Sequence, residues 1–128
     1  MSSSLYVPPA VILLLGVMLA GSSVPANADS CVIDTVRHGI KSRECFTNKS
    51  MSSEQFNNYC TAGGKALKQS LKDFDYSVGF QNSCPIGWIG YCETRITDKY
   101  VYNEAHLANN KKGCSATNPV MPGQWHGR

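Results

Sequence analysis

Cys84-Pro85-Ile86-Gly87-Trp88-Ile89-Gly90-Tyr91-Cys92 is the stretch around which this chain is organised: two cysteines bracket a short run of proline, glycine and aromatic residues. The other four cysteines surround it in an ordered way. Cys31, Cys45 and Cys60 form one triplet, and Cys84, Cys92 and Cys114 form a second of nearly the same span. Six cysteines, an even number in a short chain, read as three disulfides formed in an oxidising compartment. The opposing reading, free or metal-bound thiols, finds no Cys-x-x-Cys and no Cys/His finger spacing to support it. No metal and no cofactor is expected.

The cross-links matter because a chain of this size buries a modest core. Each bridge removes about 2–4 kcal/mol of unfolded-state freedom. Net stability is typically about 5–15 kcal/mol. Loss of a single bridge is therefore expected to threaten the fold.

The first 28 residues read as a secretory signal peptide. Ala10 to Ala20 is an apolar run too short to span a bilayer, and Ala26-Asn27-Ala28 is a small-x-small cleavage site. The leader's front end, Met1 to Pro9, departs from the usual pattern in having no Lys or Arg. After cleavage no stable membrane span is expected, and residues 29–128 form one domain. All 12 Lys and Arg and all 9 Asp and Glu lie in that part, for a net charge of +3. Such mild, dispersed basicity is unlike the clustered charge of a nucleic-acid arm, so no nucleic-acid partner is expected.

Along the mature chain, Cys31 to Val36 is β-branched and strand-like, Arg37-His38-Gly39 supplies a turn, and Ile40 to Thr47 returns as a second strand. Ser50 or Ser52 can cap a helix, with Glu54 or Gln55 reaching back. That helix carries Phe56, Tyr59 and Cys60 on one face and is expected to end or break at Gly63-Gly64. Residues 65–74 admit helix or strand. Leu67, Leu71 and Phe74 recur at helical spacing, with Lys65, Lys68 and Lys72 as a solvated face. Asp73 to Ser83 reads as an exposed connector with a strand fragment near Tyr76 to Phe80. Glu93 to Tyr102 alternates as a strand or hairpin. Asn103 is placed to cap a second helix, which Gly113 stops. The tail is irregular apart from a short extended piece near Trp125.

Each triplet thus precedes its last cysteine with a capped helix, and Cys60-Thr61-Ala62 echoes Cys114-Ser115-Ala116. The expectation is an α+β, disulfide-stapled domain built from two duplicated ββα-like halves, with an antiparallel sheet and two short helices. Six cysteines allow about 15 pairings, and spacing does not choose among them. The set Cys45, Cys60, Gly63, Gly64, Cys84, Pro85, Gly90, Cys92, Tyr100, Tyr102, Cys114, Gly123 and Trp125 resembles the pattern of small exported bacterial cysteine-rich proteins. The stretch Lys65 to Ser83 is an insert relative to that pattern. The resemblance implies a bacterial envelope or secreted protein and carries no activity with it.

For chemistry, His38, His106, Lys65 and Arg95 are the residue types that a small secreted ribonuclease needs for acid–base catalysis and phosphate stabilisation. No spacing forces them together, and an exposed surface role accounts for each histidine. There is no Gly-x-Ser-x-Gly elbow and no His-Glu-x-x-His. Asp73-Phe74-Asp75 lacks the downstream glutamate of a calcium loop. Asn48-Lys49-Ser50 is a formal glycosylation sequon, without meaning in a bacterial source. Trp88 and Trp125 either form an exposed aromatic patch or cover the disulfides in the core.

The primary expectation is an exported, non-enzymatic binding or inhibitory protein, its partner a protein or cell-envelope component. Its contact surface is read as Pro85, Ile86, Trp88 and Tyr91 together with Lys65, Lys68 and Lys72. A ribonuclease-like hydrolase or toxin using His38 and His106 is the alternative, and a structural component of the envelope is a third reading.

Overall fold

The computed structural model describes residues 28–115 and 122–128. Residues 1–27 of the expected 28-residue signal peptide lie outside them. Eight elements follow in order: β1 (Ser30–Arg37), β2 (Ile40–Asn48), α1 (Ser53–Ser70), β3 (Phe74–Gln81), β4 (Gly90–Glu93), β5 (Thr97–Val101), α2 (Glu104–Ser115) and β6 (Gln124–Gly127). The strands make one sheet in the order β3-β1-β2-β5-β4-β6, with every pairing antiparallel. The domain is α+β and carries three disulfides, Cys31–Cys60, Cys45–Cys84 and Cys92–Cys114.

The β1–β2 hairpin turns at His38 and Gly39, whose φ angles are +52° and +76°. Two left-handed residues in a row match the right-handed twist of the flanking strands, and glycine adopts that geometry without a Cβ penalty. Helix α1 opens on a complete capping box. Ser52 Oγ accepts the Gln55 N–H, and Gln55 Oε1 accepts the Ser52 N–H.

Three expectations need correction. Helix α1 does not end at Gly63-Gly64 but runs through both to Ser70. The reason lies 12 residues away in sequence: Gly64 is buried, and a Cβ there would lie 2.5 Å from the Tyr76 ring of β3. The glycine serves close approach of helix and strand rather than termination. The strand fragment expected near Tyr76 to Phe80 within an exposed connector is in fact a full eight-residue edge strand, Phe74–Gln81. Finally, α2 continues through Gly113 to Ser115. Asn103, expected to cap it, accepts the Arg43 N–H at 2.9 Å and so ties the helix start to β2.

The cysteine triplets are not equivalent either. Cys31–Cys60 joins β1 to α1 and Cys92–Cys114 joins β4 to α2, so Cys31 corresponds by position to Cys92 and not to Cys84. Cys45–Cys84 links β2 to the segment before β4. The element order strand–strand–helix–strand does occur twice, and the sheet order is symmetric about the β2–β5 pair.

Strand register decides which side of the sheet each residue occupies, because side chains alternate along a strand. Phe80, Cys31, Phe46, Lys99, Cys92 and Trp125 form one cross-strand row. Cys31 and Cys92 therefore share a face, and both helices are stapled to it. Val32, Cys45, Tyr100, Tyr91 and His126 form a row on the opposite face, where Cys45 holds the 84–89 loop.

Among the described residues, the buried apolar side chains are Val32, Phe56, Val101 and the four cysteines 31, 45, 60 and 114. Ile33, Phe46, Met51, Val78 and Phe80 pack around the Cys31–Phe56–Cys60 cluster. Cross-links occupy the place where a larger domain carries aliphatic side chains.

Candidate binding loop and interhelical cleft

The loop before β4 is fastened at several points. Cys84 is bonded to Cys45 in the middle of β2. Tyr102 Oη donates to the Pro85 carbonyl at 2.7 Å, and the Ile89 N–H donates to the Val101 carbonyl at 2.8 Å. Pro85 restricts the backbone further, while Gly87 turns it at φ +106°. Between these anchors Ile86 is 96% exposed and Trp88 43% exposed.

Beneath the loop runs a row of rings. Tyr100 stacks on Tyr91 with centroids 4.9 Å apart, and Tyr91 on His126 at 4.7 Å. Trp88 meets both tyrosines edge-on, at 5.4 and 5.6 Å. Burial raises the Tyr100 and Tyr102 phenol pKa values, so both rings remain neutral donors. At the end of the row, His126 Nε2 lies 2.9 Å from Glu93 Oε1, and Lys49 Nζ lies 3.2 Å from Glu93 Oε2 and 3.5 Å from Asp98. The His126 hydrogen bond first, then Lys49, holds the Glu93 carboxyl below its ordinary range.

The helix face carries a different feature. A cleft of about 500 Å³ lies between α1 and α2 over the middle strands. Leu67, Leu71, Phe74, Ile40 and Val101 supply its apolar lining, and its polar groups include Arg37, His38, Arg43, Glu44 and His106. His38 Nδ1 stands 3.3 Å from Asp73 Oδ2, and Lys99 Nζ 2.9 Å from Glu44.

The residues singled out in the sequence therefore fall into two places. Pro85, Ile86, Trp88 and Tyr91 cluster with the loop. Lys65, Lys68 and Lys72 belong to α1 and its C-terminal exit, on the other side of the sheet, so loop and lysines do not make one surface. Lys68 is engaged with Asp75 at 3.0 Å. His38 and His106 both line the cleft, whereas Lys65 and Arg95 are not among its lining residues. Trp125 lies on the helix face, half-buried over Gly90, and donates its Nε1–H to the Arg128 carbonyl. The sequence alone does not mark the cleft as a site. Leu67, Leu71 and Phe74 were visible as a stripe, but a stripe on a helix more often means core.

Among the described residues all six cysteines are paired, and no group of three His, Cys, Asp or Glu side chains is placed to hold a metal ion. No described helix is long and apolar enough to cross a membrane. Three disulfides in so small a domain fit an oxidising, extracytoplasmic setting. Comparison with protein-family models, curated sequences and solved structures returns no match.

Proposed function

We propose that this protein is an exported, non-enzymatic binding or inhibitory module that presents the 84–89 loop to an apolar pocket on a protein of the bacterial envelope or its surroundings. The observation that carries the reading is Ile86, fully presented to solvent on a loop tied down at Cys84, Pro85 and Ile89. A large aliphatic side chain in that position contributes nothing to the fold. Burying it against a partner is worth roughly 1.5–3 kcal/mol. Trp88 beside it is the residue type most enriched among binding hot spots. Because the loop is already ordered, association loses less conformational entropy than it would with a flexible segment.

The alternative, a ribonuclease-like hydrolase, gains from the presence of both His38 and His106 in the lining of one cleft. It loses more from the chemistry of that cleft, whose exposed surface is largely apolar and whose two guanidinium groups include one, Arg43, already paired with Asp34, which leaves Arg37 without an ion pair among the described side chains. A polyanionic substrate needs several cations and aromatic or polar walls.

The test immobilises oxidised wild-type protein, Ile86→Asp and Trp88→Ala, and challenges each with the extracytoplasmic fraction of the native source. A species retained by wild type, lost with I86D, weakened with W88A and unaffected by Lys65→Glu supports the loop as the contact. Retention that survives I86D refutes it.

A further inference from the structure

The two helices are stapled to β1 and β4, and β2 and β5 lie between those strands in the sheet. Three inter-strand spacings put the stapling points about 14 Å apart. Helices that pack against each other sit only about 8–10 Å apart. The disulfides therefore hold α1 and α2 too far apart to close over the sheet, and the cleft between them is a consequence of the fold. Its volume of about 500 Å³ lies in the usual range for ligand pockets, about 300–1,000 Å³.

Its lining has a definite polarity. Ile40 is 70% exposed and Leu67 44% exposed, and with Leu71 and Phe74 they form an apolar wall left open to water. The charged groups around it are compensated with one exception. Glu44 is paired with Lys99 and Arg43 with Asp34. Arg37, at the mouth, makes no ion pair among the described residues. One uncompensated guanidinium beside an aliphatic cleft selects a ligand with one negative charge and a saturated tail.

We infer that the interhelical cleft binds a medium-chain aliphatic carboxylate, with its head group on Arg37 and its tail along Leu67, Leu71, Phe74 and Ile40. A guanidinium and a carboxylate form a two-pronged, charge-assisted pair. The tail covers the aliphatic surface that the fold leaves bare. This site lies on the opposite face from Ile86 and stands independently of the binding loop.

The experiment is isothermal titration of the oxidised mature protein with decanoate, octanoate and decanol, each below its aggregation limit. Decanoate is expected to saturate at one equivalent. Octanoate should bind about tenfold more weakly, the worth of two buried methylenes. Decanol should bind at least tenfold more weakly than decanoate. Arg37→Gln, at an exposed position, removes the difference between decanoate and decanol. Leu67→Asp abolishes binding with the thermal midpoint retained, and Ile86→Asp leaves it unchanged. The inference is overturned if decanoate shows no saturable binding, if decanol binds as well as decanoate, or if L67D binds normally. Tighter binding of an apolar peptide with a free C-terminal carboxylate would overturn it too.

Discussion

Gly63 and Gly64 are neighbours in the interior of α1, and replacing each with alanine should move stability in opposite directions. Alanine is favoured over glycine in a helix interior by about 0.8–1 kcal/mol, and both variants gain that. At Gly63 a Cβ meets nothing within 4 Å, so the gain is realised in full. At Gly64 a Cβ lies 2.5–2.8 Å from three atoms of the Tyr76 ring. That ring is backed by Phe74, stacked on it with centroids 6.3 Å apart, so relief requires the helix or the edge strand to shift. Such overpacking costs about 1–3 kcal/mol. The propensity gain cancels between the variants, and the gap between them is the packing cost alone. For a domain near 100 residues, one kcal/mol moves the thermal midpoint by about 4–8 °C. G63A should melt a few degrees above wild type and G64A at or below it, in calorimetry of the oxidised protein. In a Tyr76→Ala background the gap should close. Equal stabilisation by both substitutions would refute the account of why the helix passes through this pair.

Other outcomes follow from the same structure. Replacing Cys31 and Cys60 by alanine opens a loop with a sequence separation of 29, which the chain-entropy relation values at about 3.6 kcal/mol; guanidinium denaturation should register at least 2 kcal/mol of lost stability. Ser52→Ala removes the cap of α1 and should cost about 1 kcal/mol, read in the same assay. The Glu93 carboxyl, held low by His126 and then Lys49, stabilises the fold above the ordinary glutamate range, and that contribution disappears as pH falls through its folded value. The thermal midpoint of wild type should accordingly fall more steeply than that of Glu93→Gln between pH 5 and 3; parallel curves would contradict the assignment.

Sequence signals specify structure directly where the structure they specify is local. The β-branched run before His38-Gly39 makes a hairpin, and Ser52 with Gln55 makes a cap, because each involves groups only a few residues apart. Gly64 reads in sequence as a helix stop, but its reason for being glycine is Tyr76, a contact created only when the helix lies on β3. The edge strand itself was legible in principle: Phe74, Tyr76, Val78 and Phe80 alternate with Asp75, Ser77, Gly79 and Gln81, the period of a strand with one covered face. The cysteine spacing suggested paired triplets, yet pairing depends on which strands become neighbours, and the sheet order sets that. The loop residues Ile86 and Trp88 stood out by composition. The cleft did not, because it exists only through the separation of two helices by two intervening strands.

Everything rests on the cross-links being Cys31–Cys60, Cys45–Cys84 and Cys92–Cys114. The direct measurement is mass spectrometry of unreduced, alkylated mature protein after double digestion. Trypsin leaves Cys84 and Cys92 in one peptide between Lys72 and Arg95, and a second cleavage at Trp88 or Tyr91 separates them. Recovery of those three linked peptides, with no alkylated cysteine, is the predicted result. A peptide joining Cys84 to Cys92, or Cys31 to Cys45, would contradict the fold, the fastening of the loop and the opening of the cleft together.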